Sequence, residues 1–185
     1  MKRLLYKKLN NRRGLTLVEL LATVLILLLA TSIAATGIPS AKAAYDKAVD
    51  ASNAQVLLSI TVTELRRELG LASKIPNQDF IADSTKVDYI SGKNGGQSQI
   101  RTIEKDGVSR IYIQEMRDFL PDADKNDSSK FVPLVSIGND DSKLSATYEK
   151  VSFSNGAFIV SNLEVKKNGN TLAKLDTLTI HTINE

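Results

Sequence analysis

The sequence of 185 residues predicts an α+β fold, in which one long N-terminal helix packs on a C-terminal antiparallel β-sheet domain. Three observations predict it. Leu15 to Ile38 form an apolar run of 24 residues with one charge, Glu19. Helical spacing of apolar residues then continues to Leu69. After Gly70 the pattern changes to a period of two, which is typical of strands.

The positive charge of the chain is concentrated at its N-terminus. The formal net charge is +3 at pH 7, and six of the 24 basic residues lie in the first fourteen positions, which contain no acid. Removing those six leaves 18 basic against 21 acidic residues. The chain has no cysteine and one histidine, so disulfides, thiolate metal sites, a cysteine nucleophile and histidine clusters are excluded.

The apolar run is long enough to span a membrane. As a helix it would extend about 36 Å, which exceeds a hydrocarbon core of about 30 Å. The basic cluster precedes it, so the positive-inside bias keeps residues 1–14 in the cytoplasm and places everything after Ile38 outside. Gly37 and Pro39 predict an interruption and a kink of the helix near the outer membrane face.

Three interpretations of this segment compete. A secretory signal peptide would be cleaved after Ala43, where Ala41 and Ala43 form a small-x-small site, but its apolar region should span only about 7–15 residues. A plain membrane anchor would give Glu19 no role, although an intramembrane charge is costly. The third interpretation concerns the junction between the basic leader and the apolar run.

That junction combines several features in one register. A short basic leader ends at Gly14, the apolar Leu15 follows, and Glu19 lies four positions further on at the start of the apolar run. This arrangement resembles the cleavage and methylation site of type IV prepilins and pseudopilins. The resemblance implies that a prepilin peptidase and methyltransferase cuts after Gly14 and methylates the new amine of Leu15.

The resemblance also implies a structural role. The processed chain would be a pilin or pseudopilin that assembles with other pilin subunits into a helical surface filament, on an inner-membrane assembly platform. Glu19 would pair with the N-terminal amine of a neighbouring subunit, which offsets the desolvation of both charges and sets the stagger between subunits. An alternative for Glu19 is local, because Thr16 and Glu19 have the spacing of a capping box.

The resemblance and the patterning together divide the chain into four parts. These are a removed cytoplasmic leader at 1–14, a transmembrane or filament-core helix at 15–38, an amphipathic helix at 39–69 and an extracellular β domain at 70–185. The amphipathic helix is predicted to end with Gly70 as its C′ residue. One face of it should pack on the sheet, carrying Leu58, Val62, Leu65 and Leu69, while the opposite face should meet solvent or neighbours, carrying Lys47, Asp50 and Glu68.

Turn sequences predict hairpins in the C-terminal domain. Asp106-Gly107 and Asn155-Gly156 are two-residue hairpin turns between alternating segments. Asn168-Gly169-Asn170 separates two further strands. The predicted strands are Gln99–Lys105, Val108–Gln114, Tyr148–Ser154, Ala157–Ser161, Asn162–Lys167, Thr171–Leu175 and Leu178–Ile183, and Phe119–Lys130 is predicted to be a polar, acidic loop.

Other candidate sites carry weaker patterns. Asp122, Asp124 and Asn126 have the 1, 3, 5 spacing of a calcium loop, but Asp127 and Pro133 stand where an EF-hand needs glycine and glutamate. Two interpretations therefore stay open, namely a looser calcium site that includes Asp127 and a solvated surface loop. Alternation along the last strand puts His181 on the wetter sheet face, and glycines 92, 95 and 96 predict a turn rather than a phosphate loop.

The sequence thus predicts a structural subunit rather than an enzyme, with no cofactor and no metal. DNA binding is compatible with a filament that repeats Lys166, Lys167 and Lys174, but the acidic balance after Gly14 does not support it. The runner-up is a monomeric binding domain, either membrane-anchored or secreted. Gram-negative pilins often have a C-terminal disulfide, so the resemblance fits a Gram-positive-type pilin, including a minor one, and leaves competence, adhesion and type II secretion-like roles open.

Overall fold

A computed structural model describes residues 16–75, 80–83, 85–105, 107–115, 130–135 and 143–183. Within these ranges one helix precedes two antiparallel β-sheets, which confirms the predicted α+β class. The helix α1 spans Leu17–Gly70. The strands are β1 Ile81–Asp83, β2 Lys86–Ile90, β3 Gln97–Lys105, β4 Val108–Glu115, β5 Val132–Pro133, β6 Leu144–Thr147, β7 Lys150–Ser154, β8 Ala157–Lys167 and β9 Asn170–His181.

The two sheets differ in topology. The first contains β1 to β5 in sequential order, and each strand is antiparallel to the next. The second is organised around the long strand β8, which pairs with β9 along one edge. The other edge of β8 pairs directly with β7 along residues 157–161 and with β6 along residues 164–167, and both pairings keep the same register. The sequential hairpins explain why every pairing is antiparallel.

Contacts within the chain divide it into two compact units, Met1–Ala48 and Val49–Glu185, with the boundary inside α1. In the first unit every described residue of the helix is exposed. In the second unit α1 contributes to the main hydrophobic core, where Leu65 and Leu69 join residues of both sheets such as Val87 and Phe158. Leu58 and Val62 pack at the margin of that core, so the predicted packing face is confirmed.

The prediction for Glu68 is wrong, because this residue is buried rather than exposed. The buried face of α1 follows Ala54, Leu57, Thr61 and Leu65 at helical spacing, and Glu68 lies one turn beyond Leu65 on the same face. The Tyr89 hydroxyl donates a hydrogen bond of 3.5 Å to one carboxylate oxygen. The Arg67 guanidinium lies 3.6 Å from the other, so the buried charge has a partner.

Of the other two polar residues assigned to that face, Lys47 is exposed and Asp50 is half-buried. The Lys167 Nζ of strand β8 lies 2.6 Å from an Asp50 carboxylate oxygen. Asp50 therefore meets a neighbour within its own compact unit. Since both side chains are 30% exposed, solvent screening keeps the contribution of this pair below about 1 kcal/mol.

The ends of α1 differ from the sequence prediction. Helical structure continues past Gly37 and Pro39 to Gly70, so neither residue interrupts the helix, and the kink stays a prediction. Gly70 is the last helical residue and lacks a positive φ, which corrects its assignment as a left-handed C′ residue. Its carbonyl instead accepts a 2.9 Å hydrogen bond from the backbone N–H of Ile183, so the far end of the chain satisfies the helix terminus.

The predicted two-residue hairpins are confirmed. Strands β3 and β4 close at the pair Lys105↔Val108, and β7 and β8 close at Ser154↔Ala157. Asn155 has a φ of 50° and Gly156 a φ of 71°. Two successive positive φ values define the type I′ turn, whose twist matches that of the flanking strands.

Other strand boundaries differ. The predicted strands 157–161 and 162–167 are one strand, β8, which accommodates Asn162 at a φ of 51° and resumes pairing at Leu163↔Leu175. The segments 171–175 and 178–183 likewise merge into β9, and the turn before it contains only Asn168 and Gly169. Strands β1, β2, β5 and β6 were not predicted. The loop predicted at 119–130 lies outside the described residues except for Lys130.

A buried tyrosine links the two sheets. Tyr148, which follows β6, is 6% exposed, and its hydroxyl donates a 2.9 Å hydrogen bond to the Thr85 carbonyl beside β2. Burial raises the pKa of Tyr148 well above its ordinary value of 10.0. The native state thus keeps this proton at a pH where the unfolded chain loses it. Because the unfolded state then binds fewer protons, the free energy of unfolding falls as the pH rises above 10.0.

We therefore expect the free energy of unfolding to fall less steeply with rising alkaline pH in Tyr148→Phe than in the wild type. Urea unfolding of the full chain in detergent micelles, followed between about pH 9 and 11, measures it. At neutral pH the variant should lose about 1 kcal/mol with the hydrogen bond to Thr85. Tyr45→Phe, on the exposed helix surface, is the control and should keep the wild-type pH dependence. Equal slopes for wild type and Tyr148→Phe would contradict the assignment.

The turn between β2 and β3 requires a glycine at position 92. A Cβ built there would lie 2.4 Å from the Leu71 carbonyl oxygen and 2.8 Å from the Leu71 Cβ. Both distances are too short for real contacts, so the backbone after α1 approaches this turn closely. The turn is also closed by hydrogen bonds between Ser91 and residues 95 and 96, which confirms the predicted turn.

Gly92→Ala should lower the free energy of unfolding by about 1–3 kcal/mol, because the added methyl group overpacks a backbone contact. Gly70→Ala is the matched control, since its Cβ would meet its nearest neighbours at 3.8 and 3.9 Å. That variant should be neutral or slightly stabilising, because alanine favours a helix more than glycine does. Urea unfolding of the two full-length variants tests the difference, and equal values would refute the close approach.

Candidate functional site

The start of α1 is capped by its own sequence. The Thr16 Oγ1 accepts a 3.3 Å hydrogen bond from the backbone N–H of Glu19. The Thr16 carbonyl accepts 3.0 Å hydrogen bonds from the N–H groups of Glu19 and Leu20. Thr16 is therefore the N-cap residue and Glu19 occupies N3, which is the spacing of a capping box. The negative side chain lies in the first turn, where the helix dipole favours it.

The surface of the following turns is apolar, and the threonine hydroxyls on it donate hydrogen bonds to carbonyls of the same helix. The Oγ1 of Thr23 donates to the Leu20 carbonyl at 2.8 Å, and that of Thr31 donates to the Leu27 carbonyl at 3.0 Å. Thr36 donates in the same way to the Ser32 carbonyl at 3.2 Å. Such bonds let polar side chains sit on a helix without presenting unpaired donors to lipid or to a packed bundle.

By its length and composition, the helix α1 could cross a membrane. Its most apolar window has a mean hydropathy of 2.4. None of that window is buried within the chain. Large apolar side chains such as Leu17, Val18 and Ile33 are more than 70% exposed. An apolar surface of this extent requires lipid or protein to cover it.

Glu19 is the one charged side chain between Thr16 and Ala41. It lies on the exposed face of the first turn, and its carboxylate forms no hydrogen bond or ion pair with any described residue. The capping geometry uses its backbone N–H and leaves the carboxylate free to meet another group. Gly14 and Leu15, the predicted cleavage and methylation residues, lie outside the described part of the chain.

A comparison with protein families addresses this junction directly. The family model described as "Prokaryotic N-terminal methylation motif" matches residues 9–35. The chain carries the type IV pilin and pseudopilin signature. The matched segment contains the predicted junction, the Thr16 cap, Glu19 and most of the apolar run, so the resemblance noted in the sequence is confirmed. No curated protein and no solved structure matches the chain significantly.

The methylation motif implies a type IV pilin-like precursor, processed by a prepilin peptidase and assembled with other pilins. With the apolar helix that follows, it indicates a membrane-anchored protein that ends in surface filaments. The motif covers the N-terminal segment alone. The nine described strands therefore have to be interpreted from their own chemistry.

The other predicted sites are His181 and the calcium candidates. His181 is exposed at the end of β9, on the same face as Thr177 and Thr179, and opposite the buried Leu178 and Ile180, which confirms its predicted face. No group of three or more acidic or histidine side chains that could hold a metal occurs among the described residues. The calcium candidates Asp122, Asp124, Asn126 and Asp127 lie outside those residues.

The sequence did not indicate a polar cleft that the two sheets form together. It lies between the β3–β4 hairpin and the strands β6 and β8, and its volume is about 400 Å³. Its residues come from four strands and two turns that are far apart in sequence. No local spacing in the sequence could have predicted this cleft. Turn glycines such as Gly107 and Gly169 were the one feature of the sequence that marks its position.

Proposed function

We propose that this chain is the precursor of a structural subunit of a type IV pilus-like surface filament. The observation that carries the proposal is the joint register of Gly14, Leu15 and Glu19 within the matched methylation motif at residues 9–35. A leader peptidase cuts after Gly14 and methylates the amine of Leu15. The processed chain stays in the membrane through α1 until an inner-membrane platform adds it to the filament.

The topology follows from charge. Six basic residues precede Gly14, and the positive-inside bias keeps them in the cytoplasm. The strands then lie outside the cell and coat the filament after assembly. This role is structural and needs neither a cofactor nor catalysis by the chain itself.

In the filament, Glu19 pairs with the methylated N-terminal amine of an adjacent subunit. Two features support this pairing. The carboxylate has no described partner within its own chain, and the surrounding helix surface is apolar, so assembly removes both charges from water. Pairing offsets two desolvation costs, whereas a shifted stagger leaves two buried charges unpaired. The backbone N–H of Glu19 takes part in the cap with Thr16, which is compatible with a pairing role for its carboxylate.

A second candidate function is a monomeric binding domain, anchored by α1 or secreted after cleavage at Ala43. The exposed apolar helix and the small-residue site at Ala41 and Ala43 favour it. Against cleavage there, Ala43 and Ala44 lie deep within α1, so the helix would have to unwind locally before a protease could act. An anchored monomer would also leave the register of Gly14 and Glu19 without a role.

The mature N-terminus distinguishes these functions. Mass spectrometry of the membrane-extracted chain, expressed with its prepilin peptidase, should find an N-methylated Leu15 as the first residue. Gly14→Leu should retain the whole leader, because a bulky side chain blocks the extended backbone at the scissile bond. An unprocessed Met1 or a terminus at Ala44 would contradict the proposal. The terminus at Ala44 would instead support the secreted domain.

A further inference from the structure

The cleft between the two sheets is polar on nearly all sides. The five-stranded sheet contributes the turn at Gly107 and the side chains of Thr102 and Ser109. The second sheet contributes Ser145, Thr147 and Lys166, with the turn at Asn168 and Gly169. Val108 is the one aliphatic side chain among the lining residues. A volume of about 400 Å³ falls within the range of small-molecule sites.

The charge of the cleft is positive. Lys143 and Lys166 line it, and none of its other described lining residues is acidic. Lys143 is exposed and belongs to none of the ion pairs formed among the described residues. Lys166 lies 2.8 Å from the Glu164 carboxylate, and this hydrogen bond is the main reason that the pKa of Glu164 is lowered. One ammonium group is therefore fully available and a second is nearby.

One hydroxyl among the lining residues interacts within the chain. The hydrogen bond from Thr102 lowers the pKa of Tyr148, against the larger effect of burial, which raises this pKa. The Thr102 Oγ1 is itself buried, so this hydroxyl does not meet a ligand in the cleft.

We propose that this cleft binds an anionic, hydroxyl-rich ligand of monosaccharide size. Lys143 and Lys166 neutralise a phosphate or carboxylate group on the ligand. The hydroxyls of Ser109 and Ser145 exchange hydrogen bonds with its hydroxyl groups, because a hydroxyl both donates and accepts. The binding site lies within the Val49–Glu185 unit and does not depend on filament assembly.

Titration of the full chain in detergent micelles, by isothermal calorimetry, tests this site. The probes are glucose 6-phosphate, glucuronate, inorganic phosphate and glucose, so the first two distinguish a phosphorylated from a carboxylated sugar. We expect saturable binding of at least one anionic sugar, about tenfold or more tighter than glucose or inorganic phosphate, and weakened by salt. Lys143→Gln should weaken it about tenfold, the loss of one charge-assisted contact.

Two variants serve as comparisons. Lys150→Gln removes an exposed lysine of β7 that does not line the cleft, and it should bind like the wild type. Ser109→Ala, at a residue that lines the cleft, should reduce affinity for the sugar while retaining the salt dependence. The proposal is overturned if no anionic probe saturates below about 10 mM, if glucose or inorganic phosphate binds as tightly as the anionic sugars, or if Lys143→Gln and Lys150→Gln behave alike.

Discussion

Glu19→Gln is expected to abolish filament assembly while leaving the chain processed and in the membrane. Glutamine keeps the capping-box pattern at N3, but it removes the charge that we propose to pair with the neighbouring amine. Each subunit would then bury an unpaired ammonium group, and breaking a buried pair in this way costs about 3–5 kcal/mol. A loss of that size in each contact corresponds to a factor of more than about a hundred in subunit affinity.

The measurement is the amount of sheared surface filament relative to processed subunit in the membrane. Glu104→Gln, at an exposed position of β3, is the matched control and should leave filaments at the wild-type level. Thr16→Val removes the cap and should cost only about 1 kcal/mol of helix stability. If Glu19→Gln assembles normally while Thr16→Val does not, capping is the whole role of this motif and the pairing is wrong.

Phe158→Ala is expected to destabilise the β domain more than any surface change. Phe158 is fully buried and packs its ring 4.8 Å from the rings of both Phe80 and Phe153. It lies on β8, the central strand of the second sheet, opposite Phe153 and Ile180. Removing the ring loses apolar burial and leaves a cavity, at a cost of about 3–5 kcal/mol.

Such a loss is a large part of the total stability of a domain, which is about 5–15 kcal/mol. Urea unfolding of the full chain in micelles measures it as a lower midpoint with an unchanged slope. Ile183→Ala is the control, because this side chain is 77% exposed and should change the free energy of unfolding by less than about 0.5 kcal/mol. A cost below about 1 kcal/mol for Phe158→Ala would show that the three rings do not form the centre of the core.

The two predictions address different parts of the chain. Glu19 lies where α1 is exposed and has no partner among the described residues, so its effect should be seen in assembly and not in folding. Phe158 acts within the Val49–Glu185 unit, so its effect should be seen in folding first. A variant that altered both measurements equally would contradict this separation.

Features governed by neighbouring residues were predictable from the sequence. The apolar run, the Thr16 cap and the register of Gly14, Leu15 and Glu19 are local patterns, and each depends on residues within a few positions. The same holds for the Asn155-Gly156 turn, since positive φ at two successive positions is a property of those residues themselves. The α+β class followed from the change of period after Gly70.

Features that depend on distant residues required the tertiary structure. Glu68 is charged and was therefore assigned to the face that meets solvent or neighbours, yet it is buried beside Tyr89, which lies 21 positions further along the chain. Strand β8 continues past Asn162, and β9 runs alongside it, because pairing between the two strands resumes at Leu163↔Leu175. The cleft beside Lys143 exists because two hairpins meet. Local pattern thus determined the apolar helix and the methylation motif at its start, whereas packing between distant segments decided which polar groups were buried and where the cleft lies.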